Sequence, residues 1–192
     1  MVSDKTDYKK LFLDSIKKFP NAEKWVGAEF SGIKTASNTS VGNIGEDFVL
    51  NYSKSLGFDA AISDTRTSWD IKINGICYEL KTATEDVHEK FQFNHFRTHR
   101  KYDAAICLGV SPNDLFFCVL TKSELLQKPL VSMEKGANAS YKWTLPRSEL
   151  WPIKKFKQMM EEFTNEFNEN KERQEDFQKR RKVIADKNED SN

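Results

Sequence analysis

The sequence has almost no net charge. Thirty Lys and Arg stand against 29 Asp and Glu in 192 residues, which leaves +1. A chain so balanced has no global positive field to draw it onto nucleic acid, so any contact with phosphates must come from local patches. Cysteine is also scarce. Cys77, Cys107 and Cys118 are widely spaced and form no C-x-x-C pair, which excludes a zinc ribbon. All three lie in apolar, strand-like runs and are expected as buried, reduced thiols. No apolar run approaches the ~20 residues of a membrane span. The opening MVSDKTDYKK lacks the apolar segment of a signal peptide, so a cytoplasmic protein with no membrane contact is expected. There is no internal repeat.

The apolar pattern suggests one domain with an appendage, divided near residues 150 and 151. Tyr8, Leu11, Phe12, Ile16 and Phe19 have helical spacing, and Pro20 ends that helix. A loop ending in SNTSVGN leads to a second helix, IGEDFVLNYSKSLGF, with Glu46 in its first turn and Gly57 as its C-terminal stop. Short β-rich runs follow: AAIS, WDIKI, ICYELKT, YDAAICLGV and DLFFCVLT. The polar-aromatic segment EDVHEKFQFNHFRTHRK between the third and fourth reads as a helix. TKSELLQ reads as a short helix opened by a Thr or Ser cap, and MEKGANASYKW as a loop. From Pro152 onward, Ile153, Phe156, Met160, Phe163 and Phe167 step by three and four, which is a heptad seam. It fits either a long helix packed on the domain or a helix that joins two copies. The tail DKNEDSN is expected to be disordered.

One stretch, SWDIKINGICYELKT, carries a chemical problem. Asn74-Gly75 predicts a two-residue type I′ hairpin. That turn sets Ile73 opposite Ile76, Lys72 opposite Cys77, Ile71 opposite Tyr78 and Asp70 opposite Glu79. Side chains alternate across a strand, so Trp69, Ile71, Ile73, Ile76, Tyr78 and Leu80 form a core face. Ser68, Asp70, Lys72, Cys77, Glu79 and Lys81 form the other. Two facing carboxylates destabilise a strand pair. A divalent cation between them turns that repulsion into binding, and hard oxygen ligands on a partly open site suit Mg²⁺ or Mn²⁺. Lys81 points the same way, where an ammonium can hold a water or offset phosphate charge. Metal-assisted phosphodiester hydrolysis needs such a set.

Glu46 on a helix, Asp70 at a strand and Glu79-Leu80-Lys81 on the next strand resemble the PD-(D/E)XK nuclease superfamily over about residues 40–120. The local ELKT is similar to that of mismatch-repair nicking enzymes of the MutH type and of their restriction-enzyme relatives. The superfamily's proline before the aspartate is replaced by Trp69. The resemblance implies a restriction-endonuclease-like α/β fold, with a mixed sheet of four or five strands flanked by helices and a C-terminal helical extension. It implies Asp70, Glu79 and the Leu80 carbonyl as ligands of Mg²⁺, with Mn²⁺ able to substitute. Lys81 would position the attacking water, and Glu46 would act through a water or a second metal. The implied activity is that of a small type II restriction endonuclease. Such an enzyme cuts double-stranded DNA as a homodimer, within a restriction system, with no organic cofactor. Alternatives are a repair, junction-resolving or homing nuclease (the G-x-x-G-E turn is also similar to that of junction resolvases), a non-catalytic DNA-binding module on the same scaffold, or an RNA- or nucleotide-directed hydrolase.

After the hairpin, Arg97, Arg100 and Lys101 are candidate phosphate contacts, and Asn94 and His95 candidate base or sugar contacts. Phe91, Phe93 and Phe96 would anchor this segment to the sheet. His95 and His99 are four apart and on a helix could share a metal, although no third ligand is obvious. Lys135 and Lys142, in KGANASYKW, belong either to a DNA-groove loop or to a connector. Arg147 fits either a phosphate contact or a buried ion pair.

Overall fold

The computed structural model describes residues 24–64 and 68–189, with side chains through residue 175. The expected helix over residues 4–19 lies outside them. Helix α1 (Asn38–Ser55) begins where the Ser37 hydroxyl accepts the Ser40 N–H at 3.1 Å, an N-cap that satisfies one free donor of the first turn. The SNTSVGN segment is therefore mostly the start of this helix and not a loop, and Glu46 is its ninth residue rather than part of its first turn. Gly57, at φ 89°, ends it as expected.

Strands β1 (Ala60–Ile62), β2 (Ile71–Ile73) and β3 (Ile76–Thr84) follow. Asn74 and Gly75 both take positive φ, 48° and 85°, as a type I′ turn requires. The three pairs Ile73–Ile76, Lys72–Cys77 and Ile71–Tyr78 have the expected register. Beyond them come β4 (Lys90–Phe96), β5 (Ala104–Val110), β6 (Leu115–Thr121), α2 (Lys122–Leu126), β7 (Val131–Glu134), β8 (Ser140–Pro146), β9 (Trp151–Pro152) and α3 (Phe156–Glu189).

The central sheet has six strands in the order β1-β2-β3-β5-β6-β9, mixed because β3 and β5 run parallel. A second sheet, β4-β8-β7, lies on one face. Every residue of β5 is buried because both faces are covered. Ala104, Ile106 and Leu108 join Val49 of α1 and Phe156 and Met160 of α3 in one core cluster. Ala105 and Cys107 join Phe91, Phe93 and Phe96 of β4 and Trp143 and Leu145 of β8 in the other. The helices, the central sheet and the small sheet thus form three layers. Trp69 is a correction: it packs on the second cluster, away from Ile71 and Leu80. All three cysteines are free; Cys107 and Cys118 are buried, whereas Cys77 is only half-buried.

Two further segments differ from expectation. The segment around Phe91 is a strand. Phe91 and Phe93 alternate at period two, then a register irregularity with His95 at φ 61° returns Phe96 to the core side. The MEKGANASYKW segment, expected as a loop, supplies the second half of β7 (Met133 and Glu134) and Ser140 to Trp143 of β8, and only its middle is a short connection between the two strands. At the C-terminus Phe156 and Met160 are fully buried, and Ile153, Phe163 and Phe167 pack beside them. The first part of the seam therefore packs on the domain. Helix α3 continues through Glu189, so the tail expected to be disordered is helical up to that residue. Side chains beyond residue 175 lie outside the described ones. Among the described residues, no helix is long and apolar enough to cross a membrane.

Candidate active site

Strand β2 stops pairing with β3 at Ile71, while β3 continues to Thr84 paired with β5 alone. Asp70 sits at the point where they part. Its N–H donates to the Tyr78 carbonyl at 2.9 Å, and its carbonyl accepts the Ser63 N–H at 3.0 Å. Its carboxylate Oδ2 accepts the Leu80 N–H at 2.9 Å. The ladder pair expected between Asp70 and Glu79 is therefore replaced by a side chain bonded to the open edge of β3.

Lys81 lies among the oxygens of this gap. Its ammonium is 2.6 Å from Glu79 Oε1, 3.1 Å from the Leu80 carbonyl and 3.4 Å from Asp70 Oδ2. The mutual repulsion of the acids is offset by a cation that belongs to the chain itself. The site is also less open than expected, for Glu79 is only 1% exposed. Burial pushes the Glu79 carboxyl above the ordinary carboxylate range; Lys81 and Arg100 oppose that shift and Asp70 adds to it. Glu79 Oε1 meets the ammonium as an ion pair off the hydrogen-bond direction, and Oε2 has no hydrogen-bond partner among the described residues.

Helix α1 brings in a third acid through a close approach. A Cβ on Gly45 would lie 1.8 Å from Thr82 Oγ1, so only glycine lets the helix rest on β3 at this point. The next residue, Glu46, then faces the gap. Burial raises its pKa first, Asp70 and Glu79 raise it further, and Lys81 opposes them. Tyr102, whose buried hydroxyl has no hydrogen-bond partner among the described residues, is pushed upward by burial and by the same two acids, Glu79 and Asp70.

The oxygen set fits a hard divalent cation. It consists of two carboxylates and a carbonyl, with one buried carboxylate oxygen unpartnered, and Mg²⁺ retains waters for its remaining positions. Among the described residues no three His, Cys, Asp or Glu side chains converge closely enough to hold an ion alone. An ion here would therefore need the carbonyl and waters to complete its shell, with Glu46 outside its innermost set.

A cleft of about 770 Å³ opens over these groups. Glu46, Asp70, Glu79, Leu80 and Lys81 line it, together with Asn94, His95, Arg97 and Arg100. Lys101, Lys135 and Lys142 do not line it. His95 and His99 do not share a helix, since β4 contains the first and ends before the second, which removes the basis for pairing them on a metal. Arg147 resolves as an ion pair, 3.1 Å from the fully buried Glu85 and 2.7 Å from Glu89. Sequence reasoning missed Lys34, Lys90 and Gln92, which also line the cleft. Gln92 was legible as the residue between Phe91 and Phe93, which turns outward once that run is a strand.

No family model and no curated protein matches this chain. Among solved structures it is similar to that of a bacterial homing endonuclease, I-Ssp6803I. The identity is 15% and the TM-score 0.42, over 58% of this chain and 76% of the other. A likeness this distant assigns no role to any residue, so the functional reading rests on the geometry of the cleft.

Proposed function

We propose that this protein is a Mg²⁺-dependent endonuclease that hydrolyses phosphodiester bonds in double-stranded DNA, with the specificity of a type II restriction enzyme. The observation that carries this reading is the Lys81 ammonium held among Asp70, Glu79 and the Leu80 carbonyl, in a cleft also lined by Arg97 and Arg100.

In this reading Asp70, Glu79 and the Leu80 carbonyl hold the ion. When bound, the ion supplies Lewis-acid polarisation of a phosphoryl oxygen and positive charge for the transition state. Arg97 and Arg100 bind the flanking phosphates. Lys81 releases its carboxylate contacts and hydrogen-bonds the water that attacks phosphorus. The attacking water gives up a proton to solvent as its oxygen bonds to phosphorus, the bond to the leaving sugar oxygen breaks, and that oxygen takes up a proton. Glu46, across the gap on α1, orders water near the attacking position. One such site cuts one strand, so cutting both calls for a homodimer.

The test is digestion of long unmethylated duplex DNA in Mg²⁺, beside an EDTA control and the Lys81→Ala protein. Discrete fragments are expected only for the wild type in Mg²⁺, with the variant slower by about a hundred- to a thousandfold. Equal digestion by Lys81→Ala, or digestion in EDTA, would contradict the assignment.

A further inference from the structure

The small sheet presents an outward face that hydrolysis does not use. Phe91, Phe93 and Phe96 of β4 are fully buried, while Lys90 and Gln92 are exposed and Asn94 half-exposed. Strand β8 repeats the pattern: Trp143 and Leu145 are buried, and Thr144, directly opposite Gln92, is exposed. The irregularity at His95 inserts an extra residue, which keeps both Asn94 and His95 at the cleft while Phe96 returns to the core. Bulges commonly re-aim side chains beside active sites in this way.

Two of these side chains are linked. Gln92 Nε2 donates to Asn94 Oδ1 at 3.0 Å. An exposed amide–amide bond competes with water and adds little to the fold. It does couple the two groups: one Gln92 N–H and the Asn94 oxygen are engaged, and Gln92 Oε1 and the Asn94 amide hydrogens stay available as an acceptor and a donor on an exposed and a half-exposed side chain. An acceptor beside a donor is the complement of the adenine edge in the major groove, which shows the N6 donor beside the N7 acceptor. A strand ribbon fits that groove. Both residues line the same cleft as Asp70 and Glu79, so a base read by them lies beside the phosphate presented to the acids.

We propose that the outward face of β4 enters the major groove of duplex DNA and that the linked Gln92–Asn94 amides select an adenine close to the cleaved bond. This rests on the part of the proposed function that places duplex DNA in the neighbouring cleft, not on its cleavage there. Lys90, on the same face, supplies phosphate attraction without sequence information.

The experiment is selection of bound duplexes from a randomised pool in Mg²⁺, with the Lys81→Ala protein alone and combined with Gln92→Ala, Asn94→Ala or Gln92→Glu. Lys81→Ala alone is expected to enrich an A·T pair at one fixed position. Each alanine change is expected to relax that position by about ten- to a hundredfold while preference elsewhere remains. Gln92→Glu, which only accepts hydrogen bonds, is expected to shift preference toward the cytosine amino group. No enriched A·T pair, an unchanged preference in all three combinations, or a uniform loss of affinity across sequences would overturn the proposal. Selective binding with these shifts but no cleavage by the wild type would refute the nuclease reading and leave adenine selection standing.

Discussion

At the residue scale, Glu79 is the group whose state decides the site. It is buried, acidic and held by one ammonium, and burial keeps its pKa above the ordinary carboxylate value of ~4.3. Glu46 is shifted in the same direction. In the folded protein these two acids retain protons that the unfolded chain would already have released. Their contribution to stability is fully present below the ordinary carboxylate pKa and is lost as pH rises through their raised values. In EDTA, Glu79→Gln removes the Glu79 share of that dependence and leaves that of Glu46. The melting temperature of the variant relative to wild type is therefore expected to climb as pH is raised from 4 toward 8. A difference that stays flat, or falls, would mean that Glu79 ionises in the folded protein as easily as in water.

At the element scale, the contact between α1 and β3 positions Glu46. The Gly45 Cα hydrogen points at Thr82 Oγ1, and a methyl there must displace either the helix or the strand. Gly45→Ala is expected to cost about 1–3 kcal/mol in denaturant melts and to lower cleavage more than that loss of folded protein explains. Thr82→Ala, which removes Oγ1 and Cγ2, is expected to recover part of both. If Gly45→Ala melts and cleaves like wild type, α1 does not set the position of Glu46. The elements differ in how far the sequence discloses them. Asn74-Gly75 announces its hairpin because few residues accept two successive positive φ values. Thr121 and Glu124 announce α2 because the capping box is a local device, and both of its hydrogen bonds are present. Strand β4 is concealed because Phe91, Phe93 and Phe96 are spaced by two and then three, and the residue that breaks the alternation, His95, carries no mark of its bulge. The start of α1 is concealed because its cap is a serine followed by Asn, Thr and Ser, residues equally at home in a loop. The facing acids are legible as chemistry, but their geometry is not. Glu79 is buried within reach of Tyr102 and Arg100, groups that lie more than twenty residues further along the chain.

At the scale of the whole molecule, the two core clusters share the central sheet, and α3 is part of one of them. Phe156 and Met160 are fully buried against Tyr52, Phe117 and the β5 side chains. Loss of one such side chain to alanine costs about 2–5 kcal/mol. A chain cut after Leu150 loses both and is expected to lack a cooperative thermal transition, although it retains every candidate site residue. A sharp transition in that fragment would mean that residues 151–192 form a separable extension and that the first cluster stands without them. Restoring residues through Phe167 is expected to recover folding, because Phe163 and Phe167 complete the packing. Whether two copies associate is then read from the sedimentation of that shortened chain beside the full one.

Cation binding by Asp70 and Glu79, which the proposed function requires, comes before turnover. Its most direct measurement is a calorimetric titration of Mn²⁺ into the wild type, Asp70→Asn and Glu79→Gln, each shown to be folded, because it reads the site without relying on turnover. Saturable binding to the wild type is expected, with a loss of affinity of about tenfold or more in each variant. Equal affinity in all three proteins would contradict it.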